Sequence, residues 1–300
     1  MTETSGVCFF CYNNNELDYV KFAHIAAGYV KRNMKNNNTC LITDHGTYGW
    51  LKESVPYEVH DRLFDEVVIA DVVHDNNIRK HFDSPWTNFS AQFSNSNKHD
   101  VINLSPFDKT LLLDTDYIVQ NNFYDYIFDT KIPVSMHRKA RYLEHQPPYL
   151  NEQQLNEAGI HHWWSTVVYF DKSDESRIFF DMWNHVKENW DYYSLLYQFP
   201  RGLFRTDFCV SIATHLLNGF NENNLTDDFM SVPMINMDQK DDLVEVKSMN
   251  DWIFLSHNRA EPWKNLLVRT ENENIHVMNK RALSRNSDKI FDLMREENLI

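Results

Sequence analysis

The chain has 300 residues, 42% of them hydrophobic and 14% aromatic, and a formal net charge of −14. Such composition supplies a large apolar core and excludes an intrinsically disordered chain, while the acidic balance excludes the basic surface of a nucleic-acid binder. There is no apolar run of the roughly 18 residues a membrane helix needs, and Met1-Thr2-Glu3-Thr4-Ser5 lacks the parts of a signal peptide, so a cytoplasmic location is expected.

In chain order, Gly6–Tyr12 is a continuous apolar run of the kind found in a buried parallel strand. Asn13-Asn14-Asn15 turns the chain. A helix from about Leu17 to Asn33 follows, with Val20, Ala23, Ala27 and Val30 on one face. Thr39–Thr43 and Glu66–Ala70 read as two more strands, ending at Asp44 and Asp71. Strand, helix and strand in this order imply a right-handed βαβ unit and an open, mainly parallel α/β sheet with helices on both faces. The segment from Val72 to Ser105 is less regular. Ile132–Met136 reads as an edge strand because of Pro133, and Ser165–Phe170 as another strand. Helices are expected over Glu175–Trp190, over Asp207–Asn218 with Gly219 as its C-cap, and over Ser284–Glu297. Trp252–Leu255 is a late strand. No Pro/Gly-rich linker divides the chain, which reads as one domain over 1–300. Residues to about 120 form a nucleotide-binding half, and the remainder forms a more irregular acceptor-binding half.

Cys8-Phe9-Phe10-Cys11 has the form of a redox or zinc motif, but it lies inside a strand, where positions three apart face opposite sides. No second such pair completes a zinc site, so the four cysteines are expected to be buried thiols.

The chemistry is carried by Leu111-Leu112-Leu113-Asp114-Thr115-Asp116. A strand persisting through Asp116 would point both carboxylates at one spot at its C-terminal end, where open α/β sheets bind ligands. Two convergent carboxylates suit a divalent cation that in turn holds phosphates. His257, after the Trp252–Leu255 strand and before Pro262-Trp263, is the candidate third ligand. Imidazole favours Mn²⁺ over Mg²⁺; the alternative is a loop histidine with no metal.

An α/β start, an apolar strand ending in Asp-x-Asp and a late His before Pro-Trp resemble the GT-A glycosyltransferases, and in particular the retaining, family 8 (glycogenin-like) enzymes. The resemblance runs from Gly6 to Trp263, and Ser105–Asp116 is its most family-like piece. The family's late pattern is His-x-x-Gly-x-x-Lys-Pro-Trp; this chain reads His257-Asn258-Arg259-Ala260-Glu261-Pro262-Trp263, two residues shorter, with neither the glycine nor the lysine. The resemblance implies a metal-dependent transfer of sugar from a nucleotide-diphosphate donor, a UDP-sugar, to a glycan, protein or lipid-linked acceptor. Asp114, Asp116 and His257 would hold the metal. Tyr12, Asn13 and Asn14 would lie where the family holds the base, and Asp44 or Asp71 would reach base or ribose. Arg79 or Lys98 would touch the donor, Thr115 would lie against it, and Arg259 or Lys264 would replace the diphosphate-binding lysine. Asp207 would lie near the donor sugar, a helix N-cap being its alternative role. His161 and His162 are possible acceptor contacts. Tyr149, Trp163, Trp164, Tyr192, Tyr193 and Tyr197 are aromatic candidates for stacking on an acceptor, with core packing as the alternative.

Two other functions compete. A phosphotransferase of the haloacid-dehalogenase type also places Asp-x-Asp at a strand end, with the first Asp as nucleophile, but its motif opens the domain and continues into a Gly-Thr-Leu-like turn. A module that keeps the fold and binds nucleotide-sugar without catalysis is the other.

Overall fold

Consecutive residues of the first strand are buried on opposite faces of one sheet. Val7, Phe9 and Cys11 belong to one apolar cluster, and Cys8 and Phe10 to the other. A strand lined on both faces needs cover on both, and the order of elements supplies it. The computed structural model describes residues 3–14, 16–70, 77–94, 97–143, 154–155, 159–199, 204–221, 225–258, 261 and 263–300; Asp71 and Tyr149 lie outside them.

The first half contains β1 (Ser5–Cys11), α1 (Tyr19–Asn33), β2 (Thr39–Thr43), α2 (His45–Ser54), α3 (Tyr57–Leu63), β3 (Glu66–Ile69), β4 (Ile78–Phe82), β5 (Asn88–Gln92), α4 (Val101–Leu104), β6 (Lys109–Leu113) and β7 (Tyr117–Ile118). It is followed by β8 (Val134–His137), β9 (Ala140–Tyr142), β10 (Gln154–Leu155), β11 (Ile160–His161), β12 (Trp164–Asp171), α5 (Asp174–Glu188), α6 (Trp190–Leu196) and α7 (Thr206–Asn218). The chain ends with β13 (Thr226–Asp228), β14 (Met234–Met237), β15 (Asp242–Ser248), β16 (Asp251–His257), β17 (Asn265–Glu271), β18 (Ile275–Val277) and α8 (Lys280–Glu296).

The central sheet has seven strands in the order β13-β8-β12-β6-β1-β2-β3. Only β12 runs antiparallel to its neighbours. The expected open, mainly parallel α/β sheet is therefore present. One face is covered by α1, α3 and α8, and the other by α5, α6 and α7. Gly6 shows how close the cover lies, since a Cβ there would stand 2.5 Å from the Phe107 ring and 2.7 Å from the Asn38 carbonyl oxygen. All four cysteines are buried and unpaired.

Several sequence expectations need correction. The strand at Pro133 is not an edge, because β8 lies between β12 and β13. Pro133 sits one residue before it, where a missing N–H breaks no ladder bond, and its carbonyl accepts from Asp171 N–H (3.1 Å) and Ser176 Oγ (2.8 Å). The segment read as irregular before Ser105 contains the antiparallel hairpin β4–β5. The C-terminal helix begins at Lys280, with Asn279 Oδ1 accepting from Ala282 N–H at 3.0 Å as its cap. Gly219 closes α7 as expected, with φ of 61°. Among the described residues, no helix is long and apolar enough to cross a membrane.

Candidate active site

The Asp-x-Asp carboxylates converge through a turn, not through the pleat of a strand. β6 ends at Leu113; Asp114 N–H donates to Thr166 O, and Tyr117 N–H closes back onto Asp114 O, both at 3.0 Å. The chain then enters β7, which pairs antiparallel with β18, matching Tyr117 to His276. Val277 N–H donates to Asp116 O at 2.8 Å. This pairing carries His276 to the aspartates. One ligand atom from each of Asp114, Asp116 and His276 lies within 4.8 Å of the others, at the C-terminal end of β6.

Both carboxylates have ammonium partners. Lys98, with only 3% of its side chain exposed, pairs with Asp114, and Lys280 Nζ lies 2.5 Å from Asp116 Oδ2. Burial pushes the Asp114 carboxyl up; Lys98 opposes the rise and Asp116 adds to it. Burial also works against ionised Asp116, yet Lys280 and His276 hold it well below the usual carboxylate range. Lys280 is itself raised, its burial outweighed by Asp116. His276 Nδ1 lies 3.2 Å from Asn236 Oδ1, and Nε2 lies 3.5 Å from Asp116 Oδ1. The Asn236 oxygen assigns the ring proton to Nδ1. That tautomer leaves the Nε2 lone pair turned toward the two carboxylates, as a metal ligand requires.

These residues lie in a cleft of about 540 Å³. Its lining carries five cationic side chains (Arg79, Lys80, Lys98, Arg205 and Lys280) against three carboxylates (Asp114, Asp116 and Asp207). A chain that is strongly acidic as a whole has thus gathered positive charge at one concave site. The hairpin β4–β5 supplies Arg79, whose guanidinium stacks 3.3 Å from the Phe93 ring centroid and donates to Phe204 O at 2.9 Å. Burial lowers Arg79 to about 10. Burial raises Tyr19 to about 12, so it keeps its proton as a donor.

Asp207 is not the cap of α7. Arg205 holds the N-cap position, and Asp207 lies in the first turn. Its Oδ1 accepts from Ser165 N–H at 2.9 Å and Ser165 Oγ at 2.7 Å. Burial opposes its charge, but nearby His162 and the Ser165 hydrogen bonds bring it below the usual range. The carbonyl of Ser165 accepts from Lys98 Nζ at 3.1 Å. One residue at the start of β12 therefore links Asp207 to the lysine of Asp114.

Of the residues expected from sequence, Tyr12, Arg79, Lys98, Asp114, Thr115, Asp116 and Asp207 line this cleft. His257 does not join them. It ends β16 in the separate three-stranded sheet, 2.6 Å from Asn265 Oδ1 and edge-on to Trp86, and His276 stands where it was expected. Asn13, Asn14 and Asp44 are not among the cleft's lining residues, and one side-chain oxygen of each accepts from backbone N–H groups. Asn13 Oδ1 accepts from Val20 N–H, Asn14 Oδ1 from Glu16 and Leu17 N–H, and Asp44 Oδ1 caps α2 through Thr47 N–H. Lys264 pairs with Glu261 at the surface. Arg259 lies outside the described residues. Sequence reading missed His276, Lys280, Arg205 and Ser165. The available signal was an apolar-flanked histidine, Ile275-His276-Val277, with a lysine four residues on.

No protein-family model and no curated protein matches the chain. Among solved structures it is similar to the glycosyltransferase GlyE of Streptococcus pneumoniae TIGR4, with 10% identity and a TM-score of 0.43 over 76% of this chain and 45% of GlyE. It is similar to the galactosyltransferase LgtC, solved with donor and acceptor sugar analogs, with 13% identity and a TM-score of 0.44 over 74% of this chain and 72% of LgtC. Mouse xyloside xylosyltransferase 1 gives 14% and 0.42 over 70% and 81%. All three are glycosyltransferases, and the chain spans less than half of GlyE. The likeness is too slight to carry a function by itself.

Proposed function

We propose that the chain is a metal-dependent glycosyltransferase that binds a nucleotide-diphosphate sugar, a UDP-sugar in the first instance, in this cleft and moves its sugar to an acceptor with retention. The observation that carries the reading is the grouping of Asp114, Asp116 and His276 in a cleft that five cationic side chains also line. The donor set fits a divalent ion: two carboxylate oxygens and an imidazole nitrogen whose lone pair is set by Asn236. When bound, Mn²⁺ or Mg²⁺ would neutralise the carboxylates and act as Lewis acid toward the diphosphate.

The chain's own residues do the rest. Lys98 and Lys280 stand beside Asp114 and Asp116, and with those carboxylates neutralised they would be placed to donate to phosphate oxygens, where leaving-group charge develops. Arg79, fixed by Phe93 and Phe204, adds a rigid fork suited to phosphate. Asp207 is held ionised with Oδ1 engaged, so Oδ2 is its oxygen for a sugar hydroxyl or for the cationic character at the reacting carbon. Tyr12 lies in the cleft beside Phe10, an aromatic wall for the base. We extend the reading to one domain acting in the cytoplasm, in which the half before about residue 120 brings Tyr12, Arg79, Lys98, Asp114 and Asp116 to the donor and the later half adds Asp207, His276 and Lys280.

One observation favours a second reading. Each carboxylate already has its ammonium, so the site is electrically complete without an ion. On that reading the cleft binds nucleotide-sugar through its lysines and transfers nothing. Donor hydrolysis by the purified chain, with Mn²⁺ and then with excess chelator, separates them: chelator-sensitive release of the nucleoside diphosphate supports the enzyme, and chelator-insensitive binding without release supports the binding module.

A further inference from the structure

A second hollow, of about 260 Å³, lies beside the edge strand β13, lined among others by Tyr126, Arg138, Trp163, Thr226, Asp228 and Ser231. Trp163 and Trp164 are successive residues, one lining this hollow and the other the cleft, so the start of β12 separates the two. Its walls hold groups that the fold leaves unsatisfied. Thr226 is 1% exposed and its Oγ1 has no hydrogen-bond partner. Asp228 Oδ1 accepts from Arg138 N–H at 3.1 Å, while its buried Oδ2 has none. Such groups are costly unless something pairs with them.

The rim is also held in an unfavourable backbone. Phe229–Val232 forms a turn closed by Val232 N–H to Phe229 O at 2.9 Å. Its central residues, Met230 and Ser231, have φ of 45° and 55°. Two successive left-handed residues in such a turn are ordinarily Gly, Asn or Asp. His137 Nδ1, 3.0 Å from Val232 O, ties the turn down. Strain of this kind clusters at ligand clamps.

We propose that this hollow is a second binding site, taking one sugar residue of a neutral glycan. Hydroxyls can both donate and accept. They suit the unpaired Asp228 Oδ2 and the Thr226 hydroxyl together, while Trp163 and Tyr126 line the hollow with aromatic side chains suited to sugar C–H faces. An anion would meet both Asp227 and Asp228. The described residues place no metal-binding group of His, Cys, Asp and Glu here. The volume far exceeds the roughly 30 Å³ of one water. Burial pushes the Asp228 carboxyl up, opposed mainly by its hydrogen bond from Arg138 N–H, consistent with an oxygen awaiting a donor. The inference does not depend on the chemistry of the cleft.

Saturation-transfer NMR on the whole chain tests it, with free glucose, galactose, N-acetylglucosamine and xylose at millimolar concentration and no nucleotide or metal. At least one should receive saturation, and both Asp228→Asn and Thr226→Val should weaken it about tenfold, with unchanged circular dichroism in each. Should either variant misfold, Ser231→Gly, which relieves the turn, is expected to fold and to weaken sugar binding, and unchanged affinity in it would count against the site. No transfer to any of the four sugars would overturn the proposal. So would binding that survives both pocket variants, and its loss in Asp116→Asn would then place the sugar in the cleft.

Discussion

Lys280 Nζ stands 2.5 Å from Asp116 Oδ2 although the two residues are 164 apart in the chain. The contact is made because only Met278 and Asn279 separate the end of β18 from the start of α8, and β18 is the strand that pairs with β7. Removing the ammonium leaves a buried carboxylate facing Asp114. We expect Lys280→Met to destabilise the free protein by about 1–3 kcal/mol, and Mn²⁺ to restore more of that loss than it adds to wild type. Thermal melts with and without Mn²⁺ measure this; equal Mn²⁺ shifts in both proteins would refute it.

The two candidate histidines make opposite predictions. His276→Ala should weaken Mn²⁺ binding by about 10–100-fold, while His257→Ala, remote in β16, should leave it unchanged. Mn²⁺ titration followed by electron paramagnetic resonance reads both, and loss of binding in the His257 variant alone would restore the expectation drawn from sequence.

Ser165 gives two hydrogen bonds to Asp207 and receives one from Lys98. Asp207→Asn should lower sugar transfer by about 10²–10³-fold with little change in donor affinity. Ser165→Ala, which removes one of the two donors, should lower it about tenfold. Steady-state rates beside calorimetric donor affinities check both. A full rate in Asp207→Asn would exclude the residue from the reaction.

Acid sensitivity should come from buried neutral histidines. His24, its Nδ1 2.7 Å from Val20 O and its Nε2 3.3 Å from His60 Nδ1, is lowered to about 4 by burial. Its folded value is below its ordinary value of about 6.5. Its contribution to stability is thus intact above pH 6.5 and is lost as pH falls through 4. His137 and His162, also near 4 through burial, act in the same direction. Melting temperature should fall between pH 6.5 and 4, and His24→Asn, which keeps a donor near Val20 O without titrating there, should flatten the slope by about one proton. An unchanged slope would remove His24 from the account.

The central strands were legible because both their faces are buried: β1 reads as a nearly continuous apolar run, and β2, β6 and β12 carry apolar stretches between polar residues. The Asp-x-Asp was legible as two convergent carboxylates but not in its geometry, since the turn at Asp114–Asp116 depends on a hydrogen bond back to Asp114 O. His276 was hidden because β18 is only three residues long and its partner β7 only two; neither is long enough to show a period. His257 had the longer and more strand-like approach, but its strand belongs to another sheet. Asp207 was expected from the family resemblance, with a helix N-cap as its alternative. Its role as acceptor for Ser165 rests on the packing of α7 against β12, which no local pattern encodes.

The most direct test of the account is calorimetric titration of the whole chain with UDP-sugars, with and without Mn²⁺, beside the Asp116→Asn variant. The account predicts saturable binding that strengthens with Mn²⁺, reverses with chelator and is lost in Asp116→Asn while the variant's fold is kept. Absence of binding by any nucleotide-sugar under either condition, or undiminished binding by Asp116→Asn, would contradict it.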